Sequence, residues 1–202
     1  MSAATFALAA QSFAELASAV PDSAWDGPGL GDWDLRSLVG HTSRSLTTVS
    51  TYLQTSADTA DVTSPADYYA KIGEYASSIG AGAIIERGRQ AGRDLGDRPA
   101  ERIDALVRQV LVDVATVDDP VIEVIGGLGI RLSDYLPTRT FEIAVHGLDI
   151  ARAAGIDFTL SQDVLMEATV LATRIGVALG QGETVLLALT GRTDLPSSFS
   201  VV

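Results

Sequence analysis

The chain has 202 residues, no cysteine, and 26 acidic against 14 basic side chains, which gives a formal net charge of −12. The length fits one domain, and the excess of negative charge excludes binding to a nucleic-acid backbone, which requires a basic face. Without cysteine, a metal must be bound by histidine and carboxylate side chains, and any thiol must come from another molecule.

The N-terminal half predicts a series of amphipathic helices. Apolar residues at three- and four-residue spacing indicate a helix over residues 2–20, which ends before Pro21. After a loop rich in glycine and proline, Asp32 or Asp34 can cap a second helix, and His41 lies inside that helix. A long helical region is then predicted over residues 65–95, with a break around the glycines at 80 and 82.

The C-terminal half adds one non-helical insert between further helices. Pro99 begins a helix that extends to about residue 117, and two β-rich runs then flank Gly126 and Gly127, which predicts a small hairpin or an extended loop. Ser133 is predicted to cap a helix that continues to residue 154 and ends at Gly155.

These patterns together predict an all-α fold. The last long helix is predicted to begin at Ser161 and to end near residue 180. We therefore expect a four-helix bundle with a short β-like insert over residues 1–182, and a short C-terminal tail over residues 183–202 that packs on the bundle. No run of 18 apolar residues and no basic signal-peptide start are present, so we expect a cytoplasmic protein that does not bind membranes.

Both histidines of the chain lie in predicted helices, and Glu142 precedes His146 by four residues. Residues four apart share one helix face, about 5–6 Å apart at Cβ, so this pair can bind one ion. The same pair is equally typical of an ordinary helix-surface interaction, and His41 is equally typical of a histidine that is hydrogen-bonded in a core. The spacing alone favours the ordinary core interpretation over the metal site.

Two segments resemble a known family. They are GDWDLRSLVGHTSRSL at residues 31–46 and RTFEIAVHGLDIARAAG at residues 139–155. They resemble the two histidine-bearing helices of mycothiol-dependent maleylpyruvate isomerases, and they occur in the same order and at a similar separation along the chain. These isomerases share the DinB-like four-helix-bundle fold. The resemblance implies that His41, Glu142 and His146 are metal ligands, and it favours the metal interpretation.

Two imidazoles and one carboxylate occupy three coordination positions of a divalent ion and leave at least one free for another ligand. Such an open position is typical of catalytic sites, whereas structural sites are usually closed by four protein ligands. We expect Zn²⁺, while Ni²⁺, Fe²⁺ and Mn²⁺ are also compatible with these ligands. The resemblance implies that a low-molecular-weight thiol, mycothiol, binds there and attacks an electrophilic substrate as the thiolate. The expected function is therefore a metal- and thiol-dependent transferase or isomerase.

Two further residues are predicted to support the ligands. Arg139 lies three residues before Glu142 and can orient its carboxylate, and Asp149 lies three residues after His146 and can accept the other imidazole N–H. Each is equally explained as a solvated helix residue. Trp25 and Trp33 could line the mouth of the site, but packing beneath the loop that precedes the second helix is the favoured interpretation.

Two other classes of function stay open. The isomerase that defines the family carries an additional C-terminal α/β domain that contributes to its active site, whereas only residues 183–202 follow the last long helix here. We therefore expect the metal site without isomerisation of maleylpyruvate. The alternatives are a non-catalytic module that binds metal or a small ligand, and a structural or regulatory protein whose apolar helices form a homodimer.

Overall fold

The computed structural model describes residues 2–202, and the side chains of residues 74–79 and 81 lie outside that description. Its main elements are eight helices and two strands: α1 Ser2–Ala19, α2 Leu35–Tyr52, α3 Pro65–Ile79, α4 Ala81–Asp94, α5 Pro99–Ala115, β1 Val121–Val124, β2 Leu128–Arg131, α6 Leu132–Ala154, α7 Gln162–Ala178 and α8 Gly182–Leu189. None of the described helices combines the length and the hydropathy needed to cross a membrane.

Four of the helices, α1, α2, α5 and α6, form a bundle in which α1 and α2 each contact both α5 and α6. Helix α4 packs on the outside of α2, and α3 and α7 contact each other as well as α6. The centre of the bundle consists of buried apolar side chains, among them Phe6, Phe13, Leu38, Leu46, Ile103, Val110 and Ile143. The predicted all-α class with a four-helix bundle and a short β insert is confirmed.

The ends of the helices that carry the site follow local sequence signals. Asp34 caps α2, since its Oδ1 accepts the backbone N–H of Ser37 at 2.7 Å. Helix α6 ends at Gly155, which adopts the left-handed conformation with a φ of 66°. Both ends agree with the prediction, and the break between α3 and α4 falls at Gly80, as predicted.

The predicted hairpin is confirmed, but the prediction that Ser133 caps the N-terminus of α6 is wrong. Strands β1 and β2 pair antiparallel around a turn in which Gly126 and Gly127 have φ values of 82° and 72°. Helix α6 begins directly after β2, and Ser133 lies inside it, where its backbone N–H donates to Asp119 Oδ1 at 2.7 Å. Asp119, which precedes the hairpin, thus caps the start of α6, a role that sequence analysis assigned to Ser133.

Glycines allow α4 to approach α2 very closely beside His41. A Cβ atom at Gly40 would lie 2.2 Å from the backbone nitrogen of Gly92 on α4. A Cβ atom at Gly88 would lie 2.6 Å from the indole ring of Trp33. Helix α4 therefore fixes both the first turns of α2 and the tryptophan that precedes it.

The chain after α7 folds back onto that helix. Val185 of α8 is buried, and Val185 and Val201 both lie against Gly176 of α7.

Glu167 of α7 is a half-buried carboxylate at the edge of the bundle core. Its side chain is hydrogen-bonded with Thr5 and Thr140, while its Oε1 has no hydrogen-bond partner among the described residues. Burial raises the pKa of Glu167, and the two threonines offset this effect only in part. A carboxyl group with a raised pKa in the folded state stabilises the fold below its unfolded pKa, and this stabilisation is lost as the pH rises through the folded value.

We therefore expect Glu167→Gln to increase the free energy of unfolding at neutral pH, because the variant has no charge to bury. The gain should shrink as the pH falls through the raised pKa of Glu167, because the parent chain then also carries an uncharged side chain. Urea unfolding followed by circular dichroism measures both values. Glu15→Gln removes the same charge from an exposed position of α1 and should leave the free energy of unfolding unchanged at both pH values. An equal increase in both variants would mean that the effect comes from the net charge and not from burial of Glu167.

Candidate metal centre

His41 of α2 meets Glu142 and His146 of α6 at one point between the two helices. One ligand atom from each side chain lies within 4.8 Å of the other two. The two imidazole rings are 5.1 Å apart at their centroids and almost perpendicular, at 85°. Nε2 of His146 lies 3.5 Å from Oε2 of Glu142. All three side chains are half-buried, so they are shielded by the fold but still open to a small ligand.

The antiparallel arrangement of α2 and α6 brings these residues together. His41 contacts His146, and seven residues later on α2 the hydroxyl of Thr48 lies 3.0 Å from that of Tyr135, which precedes His146 on α6. Residues at positions 41, 44 and 48 recur on one helix face. That face of α2 therefore lies along α6 from His146 back to Tyr135.

His41 is held in the form that can bind a metal. Burial lowers its pKa to about 4, and the nearby positive charge of His146 acts in the same direction. The imidazole is thus neutral at neutral pH. Its Nδ1 is buried and has no hydrogen-bond partner among the described residues, which costs free energy unless a ligand binds there. A neutral imidazole with an unpaired nitrogen suits a divalent ion.

His146 and Glu142 form a charged pair. Burial lowers the pKa of His146, but its bonds with Asp149 and Glu142 outweigh burial and raise that pKa to about 9. Burial likewise raises the pKa of Glu142, but the bond with His146 and the charge of Arg139 bring it down to about 2. The carboxylate is therefore ionised, and a divalent ion would displace the proton of His146. The donor set of two imidazoles and one carboxylate fits such an ion.

Asp149 lies on the side of His146 away from Glu142. Its Oδ2 is 3.4 Å from Nδ1 of His146, and its Oδ1 accepts from Arg152 at 3.3 Å. A carboxylate at Nδ1 fixes the imidazole so that Nε2 points toward Glu142 and His41. The geometry is compatible with the supporting role predicted for Asp149, which stays a prediction.

Arg139, the other predicted supporting residue, makes no direct bond to Glu142 among the described residues. Its Nε donates to Thr138 Oγ1 at 3.0 Å, and it forms no ion pair with Glu142 among the described residues. Its effect on Glu142 is the electrostatic one already noted, which lowers the pKa of that carboxyl. An orienting role for Arg139 would therefore have to act through charge.

Two aromatic residues complete the site; sequence analysis did not name Tyr69, and for Trp33 it favoured packing beneath the loop over a place at the mouth of the site. The hydroxyl of Tyr69 on α3 lies 2.8 Å from Glu142 Oε1 and donates to it. The ring of Trp33 lies 4.5 Å from that of His41, while its Nε1 donates to the carbonyl of Ile85 on α4. Tyr69 thus holds the carboxylate, and Trp33 covers one side of the imidazole.

Most of the chain matches one known protein family. Over residues 6–151 the chain matches the family described as "Mycothiol maleylpyruvate isomerase N-terminal domain". The chain belongs to this family. The matched segment includes His41, Glu142 and His146, and runs from α1 almost to the end of α6. No curated protein and no solved structure matches the chain. The resemblance stated from the two sequence segments is confirmed.

Proposed function

We propose that this family member binds a divalent ion through His41, Glu142 and His146, and that it transfers or isomerises an electrophile with the help of a low-molecular-weight thiol. We propose Zn²⁺ as the ion, mycothiol as the thiol and the cytoplasm as the location. The main support is His41, whose buried Nδ1 has no hydrogen-bond partner among the described residues and whose ring lies beside an ionised carboxylate and a second imidazole. Such a group is stabilised by a ligand and not by the rest of the fold.

The residues around the triad serve to fix it in place. Tyr69 donates to one oxygen of Glu142, which leaves the other oxygen toward His146. Asp149 holds the opposite nitrogen of His146, and Trp33 restricts water on the side of His41. When bound, a divalent ion lowers the pKa of a thiol that reaches it, so that the thiol can react as the thiolate. Three protein ligands leave room for that incoming thiol.

The absence of cysteine makes a direct test possible. A thiolate on Co²⁺ produces a charge-transfer absorption band, and in a chain without cysteine such a band can only come from an added thiol. We expect the band when mycothiol is added to the Co²⁺-loaded protein, and its loss on competition with Zn²⁺. A spectrum that mycothiol leaves unchanged would contradict the thiol-dependent function, while Co²⁺ binding in the same titration would still stand.

The second candidate is a module that binds metal or a small ligand without turnover, alone or as a homodimer. It is favoured by the apolar surface of α7 and α8. A cavity of about 440 Å³ lies between these helices and the C-terminal residues, and large apolar side chains are exposed nearby, among them Met166, Val170, Val177, Leu186 and Leu189. Such surfaces bind ligands or other proteins. For this candidate we expect that Co²⁺ binds to the protein and that its absorption spectrum does not change when mycothiol is added.

A further inference from the structure

A cavity that is separate from the metal centre opens beside α7. It lies between α7, α8 and the C-terminal residues and has a volume of about 440 Å³. None of the described residues that line it belongs to α2 or α6, the helices that carry the triad. Sites for small molecules usually have volumes of about 300–1,000 Å³. The cavity is therefore large enough for a ligand of its own.

Small side chains on both helices keep this space open. At Gly176 the two helices are in contact, since a Cβ atom there would lie 3.0 Å from Cγ2 of Val185. Beside this contact, Ala172 of α7 and Ala188 of α8 line the cavity. Helices that only stabilise a fold pack closely, and larger apolar residues at these two positions would fill the volume.

Apolar side chains at the cavity are left in contact with water. Leu189 and Leu195 both line it, yet they are 69% and 49% exposed. Removing apolar surface from water is favourable in proportion to its area. An apolar molecule in the cavity would cover both leucines and would be held there by the hydrophobic effect.

The charge at the cavity is negative. Asp194 is the only charged residue among the described residues that line it, and it forms no ion pair with any other described residue. The whole chain carries a formal charge of −12. The carboxylate of a fatty acid would therefore be repelled, whereas an ammonium group would be attracted.

The volume limits the size of the ligand. A water molecule takes about 30 Å³ in the liquid, so the cavity has room for about 15 non-hydrogen atoms of similar size. We propose that this cavity binds a primary alkylamine, with the alkyl chain against the apolar wall and the ammonium group at Asp194. The proposal is independent of the proposed function, because neither the metal nor the thiol takes part in it.

Isothermal titration calorimetry with decylamine, 1-decanol and decanoate tests the choice of ligand, because the three molecules share a ten-carbon chain and differ in charge. We expect decylamine to bind most tightly and decanoate most weakly. Asp194→Asn should weaken decylamine binding by about fivefold, as expected for the loss of a solvent-accessible ion pair, and should not change decanol binding. Asp163→Asn removes a carboxylate from an exposed position of α7 outside the cavity and should change neither.

A variant that fills the cavity tests the place of binding. Ala188→Phe should abolish the binding of decylamine and decanol. Leu186→Phe adds a ring two residues earlier on α8, at an exposed position on a different helix face, and should leave both affinities unchanged. Circular dichroism shows whether the variants fold; if the Ala188 variant does not, the comparison of the Asp194 and Asp163 variants decides the question.

Three results would overturn the proposal. They are a parent chain that does not bind decylamine, a folded Ala188 variant that binds it as tightly as the parent chain, and equal affinities for decylamine and decanoate. None of these titrations contains metal or thiol. Their failure would therefore leave the Co²⁺ experiment of the proposed function untouched, and failure of that experiment would leave this site untouched.

Discussion

Replacing His146 by alanine is expected to weaken Zn²⁺ binding by more than about 100-fold, because loss of a mere supporting partner already costs about 10- to 100-fold in metal affinity. His146 supplies one of the three candidate ligands found among the described residues, and its Nε2 lies 3.5 Å from Oε2 of Glu142. Without His146, only His41 of α2 and Glu142 of α6 would remain as ligands, one from each helix.

Tryptophan fluorescence offers a simple measurement of this effect, because Trp33 lies 4.5 Å from His41. Quenching by Ni²⁺ and competition with Zn²⁺ then report on the site itself, and Trp33→Phe should abolish the signal. Tyr69→Phe is the graded comparison and should weaken binding by about 10- to 100-fold through the loss of its bond to Glu142. Equal Zn²⁺ affinity of the parent chain and the His146 variant would place any bound ion elsewhere on this acidic surface.

Gly40→Ala is expected to destabilise the fold by about 3 kcal/mol or more, at the upper end of what overpacking usually costs. The new methyl group would lie 2.2 Å from the backbone nitrogen of Gly92, and a backbone cannot rotate away as a side chain can. Helix α4 would have to move off α2 over the very turn that carries His41. The variant should therefore lose Zn²⁺ affinity as well as stability.

Gly73→Ala provides the matched control for this substitution. Gly73 is an exposed position of α3, where a Cβ atom would meet none of the described atoms within 4 Å. Alanine should stabilise that helix by about 0.5–1 kcal/mol, since glycine loses more backbone entropy on folding. Thermal unfolding of the two variants measures the contrast. A Gly40 variant that melts at the temperature of the parent chain would mean that α2 and α4 can separate at little cost.

The sequence predicted those parts of the fold that depend on near neighbours in the chain. Asp34 caps α2 through a bond to a residue three positions later, and Gly155 ends α6 through its own backbone conformation. The cap of α6 was missed because Asp119, which bonds Ser133, lies beyond the hairpin. A contact across such a distance leaves no local pattern.

The candidate site divides in the same way. Helix spacing put Glu142 and His146 on one face, whereas only the family resemblance linked them to His41. Tyr69 was missed because a tyrosine in an amphipathic helix is first of all a packing residue, and nothing in its surroundings indicates Glu142 as its partner. The close crossing at Gly40 also depends on which helices are neighbours, and this is decided by packing and not by local sequence.

An ion bound by the triad would join two distant stretches of the chain, because His41 lies on α2 and its partners on α6, with α3, α4, α5 and the hairpin between them. Closing a loop of about 100 residues stabilises a fold by about 4.7 kcal/mol when the link is a disulfide. A metal link is reversible, and its stabilisation rises with the free concentration of the ion. In a chain without cysteine, the metal would thus act as a reversible cross-link between α2 and α6. The resistance of the fold to proteolysis would then increase with the concentration of free metal ion in the cell.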